Sequence, residues 1–363
     1  MNESNEFKIK GLAEAVQFIA DIFKQDPKAG SFRDEEKRHL PESIKIVSDV
    51  CPERIRSALG GNKVDTIVAI DGGSSSLLAS GNFEIGVCRA SMVTFHNERR
   101  ISFEVTPEWI VPAGEGLSSP IISAFCNTNQ ATMDCVSEWR FMTNICREML
   151  EYSCLRSLAG RDDNPAMILI DGALGCPSGV DPADYSDLLL QLHRKNKVVV
   201  CVSKSSTLRW ADNCPLLSRM AEMTMERPKG DIWFLRISEL RDGYEESADI
   251  PNLYLANLYA GLGPILRLDI PSIYGRDEES IICALAGHAE DPEFPGYPYP
   301  LVEAHRLARI LPARKKELFG LIKMLAVDSG VGDTVFDAAF ADYHDRLNAD
   351  VSSEILALGP IAL

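Results

Sequence analysis

The chain lacks several features that would narrow its function at once. No apolar run approaches the ~18 residues that a membrane-crossing helix needs. The opening residues, MNESNEFKIK, lack the basic-then-apolar order of a secretory signal. The ten cysteines form no CxxC pair and no Cys/His spacing of a zinc site. Cys88, Cys201 and Cys283 lie in apolar stretches, as small core residues do. Together these absences predict a reduced, cytoplasmic protein. There is no internal repeat and no low-complexity tract. Positive charge is also scarce: 37 Lys and Arg face 53 Asp and Glu, for a net charge of −16. Such a balance argues against broad non-specific binding to nucleic acid. It leaves room for local basic patches, at Arg99-Arg100, His193-Arg194-Lys195, Arg306 with Arg309, and Arg314-Lys315-Lys316. Each of these, taken alone, reads most simply as a solvated helix face or loop tip.

What remains is an ordinary globular composition, 45 % hydrophobic and 25 % charged over 363 residues, enough for one elaborated domain or two. Within it, two apolar runs end alike: Thr66-Ile67-Val68-Ala69-Ile70-Asp71-Gly72-Gly73 and Ala166-Met167-Ile168-Leu169-Ile170-Asp171-Gly172. Each reads as a buried strand that stops at an aspartate followed by glycine. The carboxyl ends of strands are where open α/β sheets place ligands. Two carboxylates on neighbouring strands can hold a divalent metal between them.

The remaining pattern supplies the architecture. Leu12, Val16, Ile19 and Phe23 mark an amphipathic helix over 6–26, and a second helix is predicted near Pro41–Asp49. After the first strand, segments 83–95 and 100–110 show partial alternation, which predicts a meander of three antiparallel strands. Residues 112–130 are rich in Gly, Ser, Pro and Asn and read as a long loop or flap. A long helix over 131–159 leads to the second Asp-ended strand. A helix from Pro182 to about Asn196 precedes a third buried strand, Lys197–Ser203, which ends at Lys204. Helices are predicted at 208–225, 276–289, 299–311, 314–327 and 334–348, and strands at 231–238 and 264–270. The result is an α/β fold: an antiparallel meander followed by parallel strands, flanked by helices. That order is the ribonuclease H-like one.

A metal centre for phosphate chemistry needs several oxygen ligands around a hard cation. Asp71 and Asp171 supply two. A third is expected from the long helix. At about 100° per residue, Phe141, Ile145, Met149, Tyr152 and Leu155 form one stripe. Glu148 falls within it and Glu151 toward its edge, so Glu148 is the first candidate and Glu151 the alternative. A carboxylate on a buried face is costly unless it is paired or binds metal. An ion pair with a nearby Arg is the plainer account of Glu148. In Gly296-Tyr297-Pro298-Tyr299-Pro300-Leu301-Val302-Glu303-Ala304-His305, Pro300 suits the first turn of a helix. His305 then lies beside the apolar side marked by Leu301, Ala304 and Ala308, as a metal ligand, an acid/base or a structural histidine. Lys204 ends its strand as the two aspartates do, where it can neutralise a phosphate or orient water.

These segments, in this order, resemble the NurA nuclease family. The resemblance rests on Ile70-Asp71-Gly72, a helix carrying Arg147-Glu148 or Glu151, Leu169-Ile170-Asp171-Gly172-Ala173-Leu174, Val202-Ser203-Lys204-Ser205, and the segment from Gly296 to His305. It departs at Gly73, where the family more often has Ser directly after Asp-Gly. The resemblance implies an RNase H-like fold and a manganese-dependent (or magnesium-dependent) deoxyribonuclease with 5′-to-3′ exonuclease and endonuclease activity on single- and double-stranded DNA. It implies a homodimer and partnership with a HerA-type hexameric ATPase in DNA end resection and repair. The metal ligands it implies are Asp71, Glu148 (or Glu151), Asp171 and His305, with Lys204 completing the catalytic set. The chain then divides into a helical element at 1–60 for dimer or partner contact, a nuclease domain at 61–312 and a helical extension at 313–363.

Two other readings compete. Asp71-Gly72-Gly73-Ser74-Ser75-Ser76 resembles the first phosphate loop of sugar-kinase and actin-type ATPases, where a turn offers backbone N–H groups to phosphate. No late Gly-Gly adenosine motif accompanies it, and that reading leaves Glu148 and His305 without a task. The acidic balance and terminal helices also suit a non-catalytic assembly subunit of a translocase complex. Such a scaffold has no need of converging ligands.

Overall fold

The structure, a computed structural model, describes residues 42–46, 52–58, 64–79, 83–114, 139–161, 166–206, 208, 215–225, 231–261, 263–328, 330 and 333. The helices expected at 6–26 and 334–348, and most of the 112–130 loop, lie outside these residues.

Twelve strands are described: β1 (Ile44–Ile46), β2 (Arg56–Ser57), β3 (Thr66–Ala79), β4 (Phe83–His96), β5 (Arg99–Val105), β6 (Trp109–Gly114), β7 (Met167–Asp171), β8 (Val198–Ser203), β9 (Trp233–Arg236), β10 (Ser238–Leu240), β11 (Pro251–Asn257) and β12 (Leu266–Pro271). The helices are α1 (Met142–Ala159), α2 (Pro182–Arg194), α3 (Leu216–Thr224), α4 (Glu278–Ala286), α5 (Tyr299–Ala308) and α6 (Pro312–Asp328). None of the described helices is long and apolar enough to cross a membrane.

The main sheet runs β2-β9-β11-β12-β8-β7-β3-β4-β5, with β6 pairing the outer part of β4. Strands β3, β7 and β8 are parallel at its centre. Strands β4, β5 and β6 form the expected antiparallel meander with β3. This is an RNase H-like mixed sheet. Beyond β8 it continues with antiparallel β12, β11, β9 and β2.

Alternation along the central strands sends side chains to two cores. Ile67 and Ala69 of β3 and Met167 and Leu169 of β7 pack with Ile282 and Leu285 of α4 and Leu301 of α5. Val68 and Ile70, with Ile168, pack against α1 and α2 on the opposite face. Full burial of one such side chain stabilises by ~1.5–3 kcal/mol, so each face is firmly clamped. A smaller core joins Ile44 of β1, Leu216 and Met220 of α3, and Leu235 of β9.

Three local expectations are corrected. Residues 44–46, predicted as helix, form β1 and pair with β10. Its apolar-charged-apolar triplet, Ile-Lys-Ile, is a strand pattern too short to be told from a helix by periodicity. Strand β11 is absent from the sequence-based prediction, although all seven of its residues are buried. Most consequentially, β3 does not end at Asp71. It continues for eight more residues, pairing with β4 as far as Ala79↔Glu84. The Gly- and Ser-rich run after Asp71 has poor strand propensity, and the long hairpin with β4 overrides it.

Candidate metal centre

Asp71 and Asp171 stand side by side because β3 and β7 run parallel in matched register, Ile70 facing Ile170. Strand β7 stops at Asp171, and the chain swings away through Gly172, whose φ of +122° is one that side chains rarely allow. Alternation puts both carboxylates on the face covered by α5.

Helix α5 is seated on that face by small contacts. Leu301, Ala304 and Ala308 are all fully buried. The Ser91 hydroxyl, from the residue opposite Asp71 in the ladder, donates to the Ala304 carbonyl across 2.6 Å. Arg89 closes the helix end, donating to the carbonyls of Ala308 and Arg309. Gly73 makes the approach possible: a Cβ there would lie 2.1 Å from the Ala308 carbonyl oxygen. His305 projects from the rim of this seated helix, with Nδ1 2.8 Å from Asp71 Oδ2, although 234 residues separate the pair in sequence.

Asp71, Asp171 and His305 each offer a ligand atom, and these atoms lie within 4.8 Å of one another. Ligands on opposite sides of a small divalent ion, at bonds of ~2.1 Å, are separated by a similar span. Two carboxylates and an imidazole are a donor set that suits a hard-to-borderline cation. The residues therefore fit a divalent metal. Asp71 is buried, and desolvation followed by the neighbouring Asp171 charge raises its pKa; His305 and Lys204 oppose the rise. A cation would relieve the same repulsion.

Lys204 lies just past the end of β8, where its Nζ donates to Asp171 Oδ2 at 2.7 Å. The same ammonium sits over the Tyr297 ring, 4.8 Å from its centroid. Tyr297 came up in the sequence only as part of a motif. Its buried hydroxyl makes no hydrogen bond of good geometry. It faces Asp171 closely enough that burial and that carboxylate push its pKa well above the phenol range.

The two glutamates part company. Glu151 is the deeper: its side chain is 11 % exposed against 39 % for Glu148. Its carboxylate lies over Gly72, where a Cβ would come 2.2 Å from Oε1. Arg147 Nη1 donates to Glu151 Oε1 at 2.5 Å, and Nη2 reaches Glu148 Oε1 at 3.3 Å. Burial pushes the Glu151 pKa up to about 8, with Arg147 opposing and Asp71 and Glu148 adding to the rise. Burial also raises Glu148. The expected burial order is thus reversed. Of the expected stripe, Met149, Tyr152 and Leu155 are buried but Phe141 is exposed, and α1 is buried around most of its circumference. A helical wheel shows an apolar stripe without showing which neighbour it faces.

A NurA domain model matches residues 65–310 of this chain. Comparison with curated proteins finds no match. Among solved structures, the NurA nuclease from Sulfolobus solfataricus superposes with a TM-score of 0.50 at 18 % identity, covering 87 % of this chain and 95 % of that one. Endonuclease V from Ciona intestinalis, in complex with an inosine-containing DNA, gives 0.38 at 14 % identity, over 74 % and 93 % of the two chains. Argonaute from A. aeolicus gives 0.34 at 13 % identity, over 68 % and 28 %.

Proposed function

We propose, from the premise that this chain belongs to the NurA family, that it is a divalent-metal-dependent nuclease acting on DNA. The observation that carries this reading is the convergence of Asp71, Asp171 and His305. These three would hold the metal, manganese or magnesium, with Glu151 rather than Glu148 as the fourth group. When bound, the ion would generate a nucleophile from water and neutralise charge at the phosphate.

The chain's own residues supply the rest. Lys204, beside Asp171, offers Nζ to a phosphate oxygen. Burial holds Glu151 protonated up to about pH 8, and a bound cation would displace that proton and leave the carboxylate free to join the ligand set. Arg147 engages Glu151 Oε1 and so fixes the carboxylate's orientation. The ATPase reading loses its main support. Gly72 to Ser76 run as paired strand, from Gly72↔Ala90 to Ser76↔Gly86, and do not turn around a phosphate.

For the finer activity we propose, on the family resemblance, 5′-to-3′ exonuclease and endonuclease cutting of single- and double-stranded DNA, by a homodimer, in end resection and repair. A chain of net charge −16 should bind DNA weakly alone. We place it with a HerA-type hexameric translocase that raises the local DNA concentration. The test is incubation of purified protein with end-labelled single- and double-stranded DNA in manganese, magnesium or EDTA. Cleavage in metal that EDTA abolishes supports the reading, and no cleavage in either metal overturns it. A sizing column loaded with both proteins tests the partner: separate elution, with full-rate cutting of long duplex by the nuclease alone, removes it.

A further inference from the structure

Beside the metal centre, on the α1 side of the sheet, is a cavity of about 280 Å³. That is near the small end of the ~300–1,000 Å³ spanned by pockets for small organic ligands. Its lining includes Leu155, Ile170 and Cys201, together with the ring of Tyr152. The lining also includes Glu148, Glu151 and Asp171 against the single guanidinium of Arg147. Three carboxylates against one cation keep a phosphate out of the cavity's interior, and the apolar part of the lining rewards a flat, uncharged group. Asp171 belongs both to this cavity's lining and to the metal cluster, so the two sites adjoin.

Part of the lining is the turn that follows Asp171, and this turn is held by buried groups. The Leu174 N–H donates to the fully buried Asp269, itself gripped by two hydrogen bonds from Arg267. The Gly175 N–H reaches the hydroxyl of buried Tyr185. A pocket with walls fixed in this way imposes its shape on what enters.

Resting on the nuclease reading, we propose that this cavity receives one nucleobase, that of a nucleotide adjacent to the scissile phosphate. The backbone phosphate lies toward Asp171 and Lys204 while its neighbouring base turns inward across Tyr152. Glu148, the more exposed glutamate of the lining, accepts a hydrogen bond from the amino or imino edge of that base. The pocket thereby sets the register of the strand over the metal and gives Glu148 a task separate from ligation. Its size admits one base and not a base pair, so the strand must be locally single when cut.

The test uses the full chain and end-labelled single strands carrying one abasic residue, moved stepwise past the cleavage site. The expected result is that cutting slows about tenfold or more when the base is missing at one position beside the cut, as loss of one base contact would cause, and changes little elsewhere. A second arm fills the pocket. Gly175 has nothing within 4 Å of where a Cβ would stand, so Gly175→Leu enters open space. That variant should lose the difference between intact and abasic substrate while keeping the manganese-induced rise in Tm. Equal cutting of intact and abasic strands by the wild-type protein overturns the pocket and leaves the nuclease standing. Failure to cut any strand in either metal overturns the nuclease reading itself.

Discussion

Gly72 and Glu151 occupy what would be the same space: the carboxylate of one lies where a side chain of the other would begin, 2.2 Å from an ideal Cβ to Oε1. The glycine on β3 is the gap through which a helix on one face of the sheet brings its acid to the edge of the candidate metal centre on the other. Gly73 serves the opposite face in the same way, admitting the carbonyl of Ala308. Two successive glycines thus let two helices close on Asp71 from both sides.

Gly72→Ala should therefore displace Glu151 and leave the fold intact. The atoms in conflict are the Glu151 carboxylate and the Cγ of Arg147, 2.7 Å away, and both belong to long side chains that can shift together at modest cost to stability. Activity should fall about 100-fold, as a misplacement of ~1 Å at a reacting centre can cause. Cleavage rate and Tm measured on the same preparation check this. A variant that cuts DNA at the wild-type rate would show that Glu151 has no part in the reaction.

The two glutamates separate by substitution. Glu151→Gln should lower activity about 100-fold or more, the scale of removing one contact to a charged transition state. Glu148→Gln, on a side chain that is 39 % exposed, should lose much less. Steady-state rates on one single-stranded substrate decide between them. The opposite ranking would restore Glu148 as the ligand.

The metal-free protein should lose stability as pH rises. Glu151 titrates near 4.5 when unfolded and near 8 when folded. Between these values the folded state holds a proton that the unfolded state has released, so stability falls with pH across that window. Asp71, also raised, acts in the same direction. Tm in EDTA should decline from about pH 4.5 to 8, and Glu151→Gln should flatten part of the slope. Metal displaces the proton, so the Tm gain from manganese should grow over the same range. An identical slope in wild type and variant would contradict the assignment.

Lys204→Met should slow cleavage about 100-fold, the scale of removing one contact to a charged transition state, without weakening manganese binding. It removes a cation next to Asp171 and leaves every ligand in place. Calorimetric titration of manganese into wild type and variant gives the comparison. A tenfold loss of metal affinity would mean that Lys204 serves to hold Asp171 in position instead.

The sequence carried the strands of the centre better than its helices. The runs ending at Ile70 and Ile170 are apolar without interruption, and only a buried strand explains them. Their register, and hence the pairing of Asp71 with Asp171, follows from two parallel neighbours of like pattern. The continuation of β3 beyond Asp71 was hidden because glycine and serine carry a turn signature, while the pairing that overrides it comes from β4. His305 was legible from the small residues Ala304 and Ala308, which mark the seated side of α5. Glu151 was obscured because α1 is covered on most of its sides. Strand β11 escaped because Asn252, Tyr254 and Asn257 break its apolar run, although the asparagines and the tyrosine are buried. The role of Tyr297 has no sequence signal apart from its place in a motif, since its contact with Lys204 joins residues that only the fold brings together.

The most direct test of the central claim is anomalous diffraction from crystals of the protein soaked in manganese, compared with Asp71→Asn crystals treated alike. The account predicts a manganese peak touching the carboxylates of Asp71 and Asp171 and the imidazole of His305, at bonds of about 2.0–2.5 Å, and its loss or marked weakening in the variant. A peak at another site, or one that persists undiminished in Asp71→Asn, would contradict it.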